Sequence, residues 1–256
     1  RVGNDRFVLP GFTVFNTDDA QEAFIQMVRK GHNSVRVKKT MESGGLGQKT
    51  IDSIEELLEF IARKISAEEL NTHGLVLEAA ISNPRTISVG YAVLGDAIVS
   101  FVANQKNGAG EEGTDRYLGA KVKVIRGPMQ NFNYEELDDS ETKSVAASIG
   151  FFREYSYFNP TLSRISFDAI NGGASNGQEL CGISDITARL GGTCPALILS
   201  ALELKNNPAV KMVESEVTLD YSPQSGGGGT PEETNSVNFI DLPSLKITAK
   251  INKTHE

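Results

Sequence analysis

Cysteine and histidine are scarce in this chain, and the shortage closes several chemistries at once. Among 256 residues there are two cysteines, Cys181 and Cys194, and three histidines, His32, His73 and His255. The cysteines lack metal-ligand spacing and the histidines form no HxxxH or HxH pair, so a zinc site is unsupported. So few cysteines fit buried, reduced thiols of a cytosol better than a disulfide scaffold, which makes a cytoplasmic location the expectation. No serine-hydrolase nucleophile elbow is expected. Long apolar runs are missing too. Stretches such as Pro195 to Leu202 fall far short of the roughly 20 residues that cross a bilayer, so no membrane span is expected. Clustered positive charge is also lacking. With a formal net charge of −8 and scattered Lys and Arg, the chain does not read as a nucleic-acid binder.

What is present is ordinary globular composition, 39% hydrophobic and 23% charged, enough for one large domain or two small ones. Position 1 is arginine and the first residues read as domain interior, so the expectation is that an N-terminal segment or domain precedes them. No coiled-coil repeat marks an oligomeric state.

The richest stretch is Val35-Arg-Val-Lys-Lys-Thr-Met-Glu-Ser-Gly-Gly-Leu-Gly-Gln48, a short alternating strand running into a glycine loop. Gly44, Gly45 and Gly47 allow close backbone approach to a ligand, and Lys38 adds a point charge. Taken alone, such a loop reads equally as a hairpin turn with a surface lysine. It lacks G-x-G-x-x-G spacing and is followed by strand-like Gln48 to Ile51, which excludes a dinucleotide fingerprint there.

The rest of the chain alternates helix and strand signals. Thr17 to Lys30 is a capped helix with acids in its first turn, and Ser53 to Lys64 is a second, with Glu56 completing a Ser53 capping box. Leu75 to Ile81 is apolar apart from Glu78, as a buried strand is, although a buried helix has the same pattern. Thr86 to Val93, Ala97 to Ala103 and Lys121 to Ile125 suggest an antiparallel sheet, with a mobile loop at Gly108 to Gly113. Helix returns from Glu135 to Arg153, interrupted near Asp138 to Ser140. Leu162 to Ile170 and Leu180 to Arg189 then read as paired strands, each presenting one aspartate, Asp168 and Asp185, within reach of one divalent cation. Either aspartate alone would be read as a turn-adjacent residue bonded to backbone. Arg164 lies four residues before Asp168 and shares its strand face. Cys194 to Leu204 is a helix with Pro195 in its first turn. Ser222 to Thr234 has linker composition, and Val237 to Leu242 and Leu245 to Ile251 are closing strands.

In this order, Val35-Arg-Val-Lys38, Gly44-Gly-Leu-Gly-Gln48, Gly74-Leu-Val-Leu-Glu78, Ile87-Ser-Val-Gly90 and Val124-Ile-Arg-Gly127 resemble the ATP-grasp superfamily, most nearly a poorly characterised bacterial family with no established substrate. The resemblance spans about Pro10 to Tyr221. It implies an α+β fold in which two α+β subdomains clasp ATP, divided as a small subdomain at 1–81, a large one at 82–221 and a linker with terminal strands at 222–256. The implied activity is ADP-forming ligation of a carboxylate to an amine or thiol through an acyl phosphate, with ATP and Mg2+.

Residue by residue, the resemblance puts Lys38 on the α-phosphate and adenine edge, and Ser43, Gly44, Gly45 and Gly47 over the β- and γ-phosphates. It puts the backbone of Glu78, Ala79, Ala80 and Ile81 against adenine. Asp168, Asp185 and Thr187 correspond to the metal ligands, with Asp185 and Thr187 where glutamate and asparagine are usual. Asn83, Pro84 and Arg85 stand where a ribose-binding acid is usual. Arg189 and Arg126 are the candidate cations for the transferring phosphoryl group. An alternative is a non-catalytic nucleotide-binding or protein-interaction module, and a third is a structural protein that keeps only the fold.

Overall fold

The computed structural model describes residues 7–42, 47–109, 115–155, 162–221, 236–242 and 245–255. The first part of the chain runs β1 (Gly11–Val14), α1 (Thr17–Arg29), β2 (Val35–Lys39), β3 (Gln48–Ile51), α2 (Ile54–Lys64), α3 (Ala67–His73) and β4 (Leu75–Ala79). Its strands form a four-stranded antiparallel sheet in the order β1-β4-β2-β3.

Capping residues set the helix starts. Asn16, one position before the expected Thr17, accepts the Asp19 N–H at 2.8 Å and caps α1. Ser53 caps α2 by accepting the Glu56 N–H at 3.2 Å, while Glu56 reaches back to the Asp52 N–H instead of the Ser53 N–H. Ser66 caps α3 through the Glu69 N–H, and Gly74, at φ +78°, ends it. Alternation along β2 and β4 sorts the sheet's faces: Val35, Val37, Leu75, Leu77 and Ala79 pack with Phe24, Met27, Leu57 and Ile61 of the helices. Arg36, Lys38, Val76 and Glu78 therefore stand on the opposite face.

The second part runs β5 (Ile81–Leu94), β6 (Ala97–Ala109), β7 (Asp115–Arg126), α4 (Asp139–Tyr155), β8 (Arg164–Ala174), β9 (Glu179–Thr187), α5 (Cys194–Asn206), β10 (Met212–Asp220), β11 (Ser236–Leu242) and β12 (Leu245–His255). These strands make one eight-stranded antiparallel sheet, β11-β12-β10-β7-β6-β5-β8-β9. One face carries α4, with Ile87, Val89, Ile165, Phe167 and Ala169 packed under Val145 and Ile149. The other carries α5, whose Ala196, Leu197 and Leu204 cover Phe101, Val122, Val213 and Val217. The expected interruption near Asp138 is the cap of α4: the Asp138 side chain accepts the Glu141 N–H, and the Glu141 side chain accepts the Asp138 N–H, both at 3.0 Å.

β10 is a central strand that the composition alone did not announce. Val213, Ser215, Val217 and Leu219 alternate inward along it, and the signal is there in retrospect. β11 and β12 extend the large sheet beyond β10. The expected linker and the expected mobile loop fall largely on 222–235 and 110–114, outside the described residues.

One glycine-serine spacing loses its chemical meaning in this fold. Gly173-Ala-Ser-Asn-Gly177 has the G-x-S-x-G spacing, contrary to the expectation that no such elbow occurs. It turns between antiparallel β8 and β9, not from strand to helix, and Ser175 accepts the Asn33 N–H at 2.9 Å, docking the hairpin on the α1–β2 turn.

Candidate functional site

The polar face of the small sheet and the α5 side of the large sheet meet in a cleft of about 400 Å3. Arg36, Lys38, Gln48 and Val76 line it from the small sheet; Thr86, Gln105, Tyr117, Asp168, Ser184 and Asp185 line it from the large one.

On the large sheet the decisive feature is register. Asp168 on β8 lies directly opposite Asp185 on β9, and Ser88 on β5 lies directly opposite Asp168. Residues opposite one another in an antiparallel pair share a face with Cβ atoms about 5 Å apart. Both carboxylates thus enter the cleft side by side. Ser88 donates to Asp168 Oδ1 at 2.6 Å and accepts from Gln105 Nε2 at 2.8 Å, forming a relay that fixes the carboxylate. Burial pushes the Asp168 carboxyl upward and the neighbouring Asp185 charge adds to it, against the hydrogen bonds from Ser88 and Gln105. Asp185 is exposed and accepts the Ile186 N–H at 2.7 Å. Among the described residues no group of three or more His, Cys, Asp or Glu converges. The pair nevertheless fits a hard divalent cation, because two adjacent carboxylates repel and an oxygen-seeking ion relieves them.

Lys38 crosses from the small sheet. Its ammonium pairs with Glu78 and donates to Ser184 Oγ, and Ser184 also lies 3.4 Å from Glu78 Oε1. Glu78 is 5% exposed, and burial pushes its carboxyl up even though Lys38 and Arg36 pull it down. Arg36 is oriented by Gln48 at 2.8 Å. Gly47, at φ +65°, closes the β2–β3 hairpin by accepting the Lys39 N–H at 3.1 Å. Ser43, Gly44 and Gly45 lie outside the described residues.

The segment expected to face adenine is partly engaged elsewhere. The Ala79 N–H donates to the Pro10 carbonyl at 2.8 Å and the Ala80 N–H to the Ser34 carbonyl at 3.1 Å, while Ile81 opens β5 opposite Ala174. Thr187 pairs with Ser166 one step along from the aspartates and is not among the cleft-lining residues.

The two candidate arginines part company with the cleft. Arg126 turns to the far end of α5, donating to the carbonyls of Leu204, Asn207 at 3.0 Å, Pro208 at 3.4 Å and Val210. Its guanidinium satisfies helix-end carbonyls, and the expectation that it clamps a phosphoryl group is corrected accordingly. Arg189 is exposed on the loop after β9, with Nη1 3.1 Å from the Leu190 carbonyl.

Ser88, Gln105, Ser184 and Tyr117 complete the site and were not legible as chemistry. Serine and glutamine in a β-rich segment carry no motif, and only the strand register brings Ser88 and Gln105 to Asp168. The buried Tyr117 hydroxyl has no hydrogen-bond partner among the described residues, and burial together with the Asp168 charge pushes its pKa up.

The family described as "Protein of unknown function (DUF3182)" matches residues 4–232. Among curated proteins, none matches. Among solved structures, biotin carboxylase from Campylobacter jejuni, in complex with beta-gamma-ATP, superposes with a TM-score of 0.61 at 12% identity, covering 96% of this chain and 59% of that one. The biotin carboxylase domain of the Hydrogenobacter thermophilus 2-oxoglutarate carboxylase, with MgADP, ADP and bicarbonate, gives 0.59 at 12% identity over 95% and 58%. The ADP complex of the purK N5-carboxyaminoimidazole ribonucleotide synthetase gives 0.56 at 12% identity over 96% and 63%. The chain spans about three fifths of the length of these ATP-grasp enzymes, and at such identity the likeness shows the fold.

Proposed function

The chain belongs to the DUF3182 family of proteins of unknown function and has the ATP-grasp fold, and on that premise we propose that it binds Mg-ATP in the cleft between its two sheets and activates a carboxylate as an acyl phosphate for attack by an amine or thiol, releasing ADP. The observation that carries this reading is the Asp168–Asp185 pair, held in register on one sheet with Lys38 facing it from the other.

Phosphoryl transfer to a carboxylate brings two anions together, so the site must screen charge and hold the reactants in line. Mg2+, held by Asp168 and Asp185, would supply the positive charge between them. Lys38 takes the nucleotide's phosphates by exchanging Glu78 for a phosphate oxygen. Glu78 is suited to that exchange, because burial raises its carboxyl above the ordinary value, and a proton taken up there would release the ammonium. Ser88 and Gln105 keep the Asp168 carboxylate turned toward the cleft. Arg189, exposed and bonded within its own loop to the Leu190 carbonyl, is a cation able to swing onto the transferring group.

A non-catalytic nucleotide-binding module is the second reading, favoured by the engagement of Lys38 with Glu78 and by Thr187 lying outside the cleft lining.

Calorimetry with Mg-ATP tests both. Micromolar binding that disappears in Lys38→Ala and Asp185→Ala, with both variants folded by circular dichroism, supports the nucleotide site. ADP release stimulated by an acid and amine panel selects the ligase, and its absence selects the binding module. No heat with the unmodified chain sinks both.

A further inference from the structure

Among the described residues, Arg164 is a buried cation without an anion. It is 9% exposed, on the same face of β8 as Asp168. Its partners are the Arg189 carbonyl through Nη1, Thr193 Oγ1 at 3.4 Å from Nη2, and the Phe101 ring, 5.9 Å from Cζ. None is a carboxylate, and Nε is buried with no hydrogen-bond partner. The surroundings make this worse. Thr193 is the N-cap of α5, a helix of 13 residues, and its side chain makes no capping bond, so the guanidinium sits against the positive end of the helix dipole. A buried charge without a counter-ion, beside a helix end of the same sign, is unfavourable on both counts. One ligand relieves both.

The shape of the vacancy in the hydrogen bonding identifies that ligand. Nη1 is committed to the Arg189 carbonyl, whereas Nε is unpartnered and Nη2 has only a long contact. The Nε and Nη2 protons lie parallel on one edge of the guanidinium, the arrangement that accepts both oxygens of a carboxylate or phosphate. Gly191 roofs this side of the guanidinium without a side chain, a Cβ there lying 3.5 Å from Nη2, and Gly192 continues the roof against the Tyr117 ring. Leu190, next to them, is 77% exposed, so little packing holds the roof down.

We infer that Arg164, the Gly191–Gly192 backbone and the N-terminus of α5 form an oxyanion subsite joined to the cleft through Tyr117. Tyr117 lines the cleft, and its ring abuts Gly192 so closely that a Cβ there would lie 2.3 Å from Cε1. Its hydroxyl is a second buried donor lacking a partner. Four residues of strand separate Arg164 from Asp168, about 13 Å at the usual rise. Resting on the ligase reading, this spacing selects an elongated acceptor with an anionic group at each end, one activated at the aspartates and the other anchored on Arg164.

Thermal melts of the full chain without nucleotide, at constant ionic strength, test the subsite separately from that reading. Inorganic phosphate or succinate is expected to raise Tm saturably at millimolar concentration where chloride does not, in the unmodified chain and equally in Lys38→Ala. Apparent affinity is expected to fall at least tenfold in Arg164→Gln. A response to succinate alone identifies a carboxylate ligand and a response to phosphate alone a phosphate. No saturable shift in the unmodified chain, an unchanged shift in Arg164→Gln, or a shift lost in Lys38→Ala overturns the subsite. Should Arg164→Gln not fold, the Arg164 Nε–H resonance of the unmodified chain is followed instead: movement on adding phosphate supports the subsite, and a fixed resonance refutes it. Failure of Mg-ATP binding would remove the ligase and leave this result standing.

Discussion

Each end of α5 has its arginine, and the two are opposites. Arg126, at the C-terminal end, is exposed yet fully engaged, its guanidinium spread over the carbonyls of Leu204, Asn207, Pro208 and Val210. Positive charge there also complements the helix dipole. Arg164, at the N-terminal end, is buried, carries an unpartnered Nε and opposes the dipole. Burial ordinarily goes with satisfaction. Where the exposed group is satisfied and the buried one is not, the first is holding the fold and the second is waiting for a partner that the described residues do not supply.

A third cation sets the scale for that contrast. Lys38 is half of a nearly buried pair with Glu78, and removing one partner of such a pair leaves the other charge stranded. Lys38→Met is expected to cost about 3 kcal/mol at neutral pH by urea denaturation. A loss under about 1 kcal/mol would show that Glu78 simply protonates, and the pair would no longer be a reference for a partnered cation.

The same pair makes stability depend on pH. Burial raises the Glu78 carboxyl above its ordinary value of 4.5 in the folded state, so between the two values the folded chain binds more protons than the unfolded one. Stability from this group is then complete below 4.5 and declines as pH rises through the raised value. Denaturation midpoints measured from pH 4 upward should fall less steeply in Glu78→Gln. Lys38, Arg36 and Ser184 are the groups that face Glu78 and limit the effect.

How far these contrasts could be read from sequence depends on the kind of bond. The helices and most strands were legible because caps and alternation are local: Ser53 with Glu56, or Val35 with Val37, need no distant partner. α3 was missed because seven residues after Ser66 are too few to show a period, and β10 because a serine, Ser215, stands at an inward position and breaks the apolar half of the alternation. Asp168 and Asp185 were legible as a pair since hairpin pairing brings neighbouring strands together, although their direct opposition depends on a bulge between Asp168 and Ala169. Arg126 was misjudged for the opposite reason. A strand-end arginine before Gly127 looks the same in sequence whether it meets a phosphate or the carbonyls of a helix some 80 residues away, and only the packing of α5 decides. Ser88 and Gln105 were invisible because each gains its meaning from a cross-strand neighbour, and Tyr117 because it gains its own from Gly192, far along the chain.

At the C-terminal end of α5, Arg126→Met removes charge-assisted bonds to carbonyls that water can partly replace, since the residue is exposed. The expected loss is about 2 kcal/mol in urea denaturation, with Mg-ATP and phosphate binding unchanged. An effect on either ligand would mean that Arg126 reaches the cleft after all.

The smallest effect is expected where burial alone would forecast the largest. Arg164→Met deletes a charge that is 9% exposed, but it also deletes an unpaired cation and its repulsion from the α5 N-terminus, while the methionine keeps packing against Phe101. What is lost is the bond to the Arg189 carbonyl, on an exposed loop that water can serve. The net change in stability should stay within about 1 kcal/mol in either direction. The urea midpoint in phosphate-free buffer measures it directly, and a loss matching that of Lys38→Met would place Arg164 among the groups that hold the fold and erase the difference between the two ends of α5.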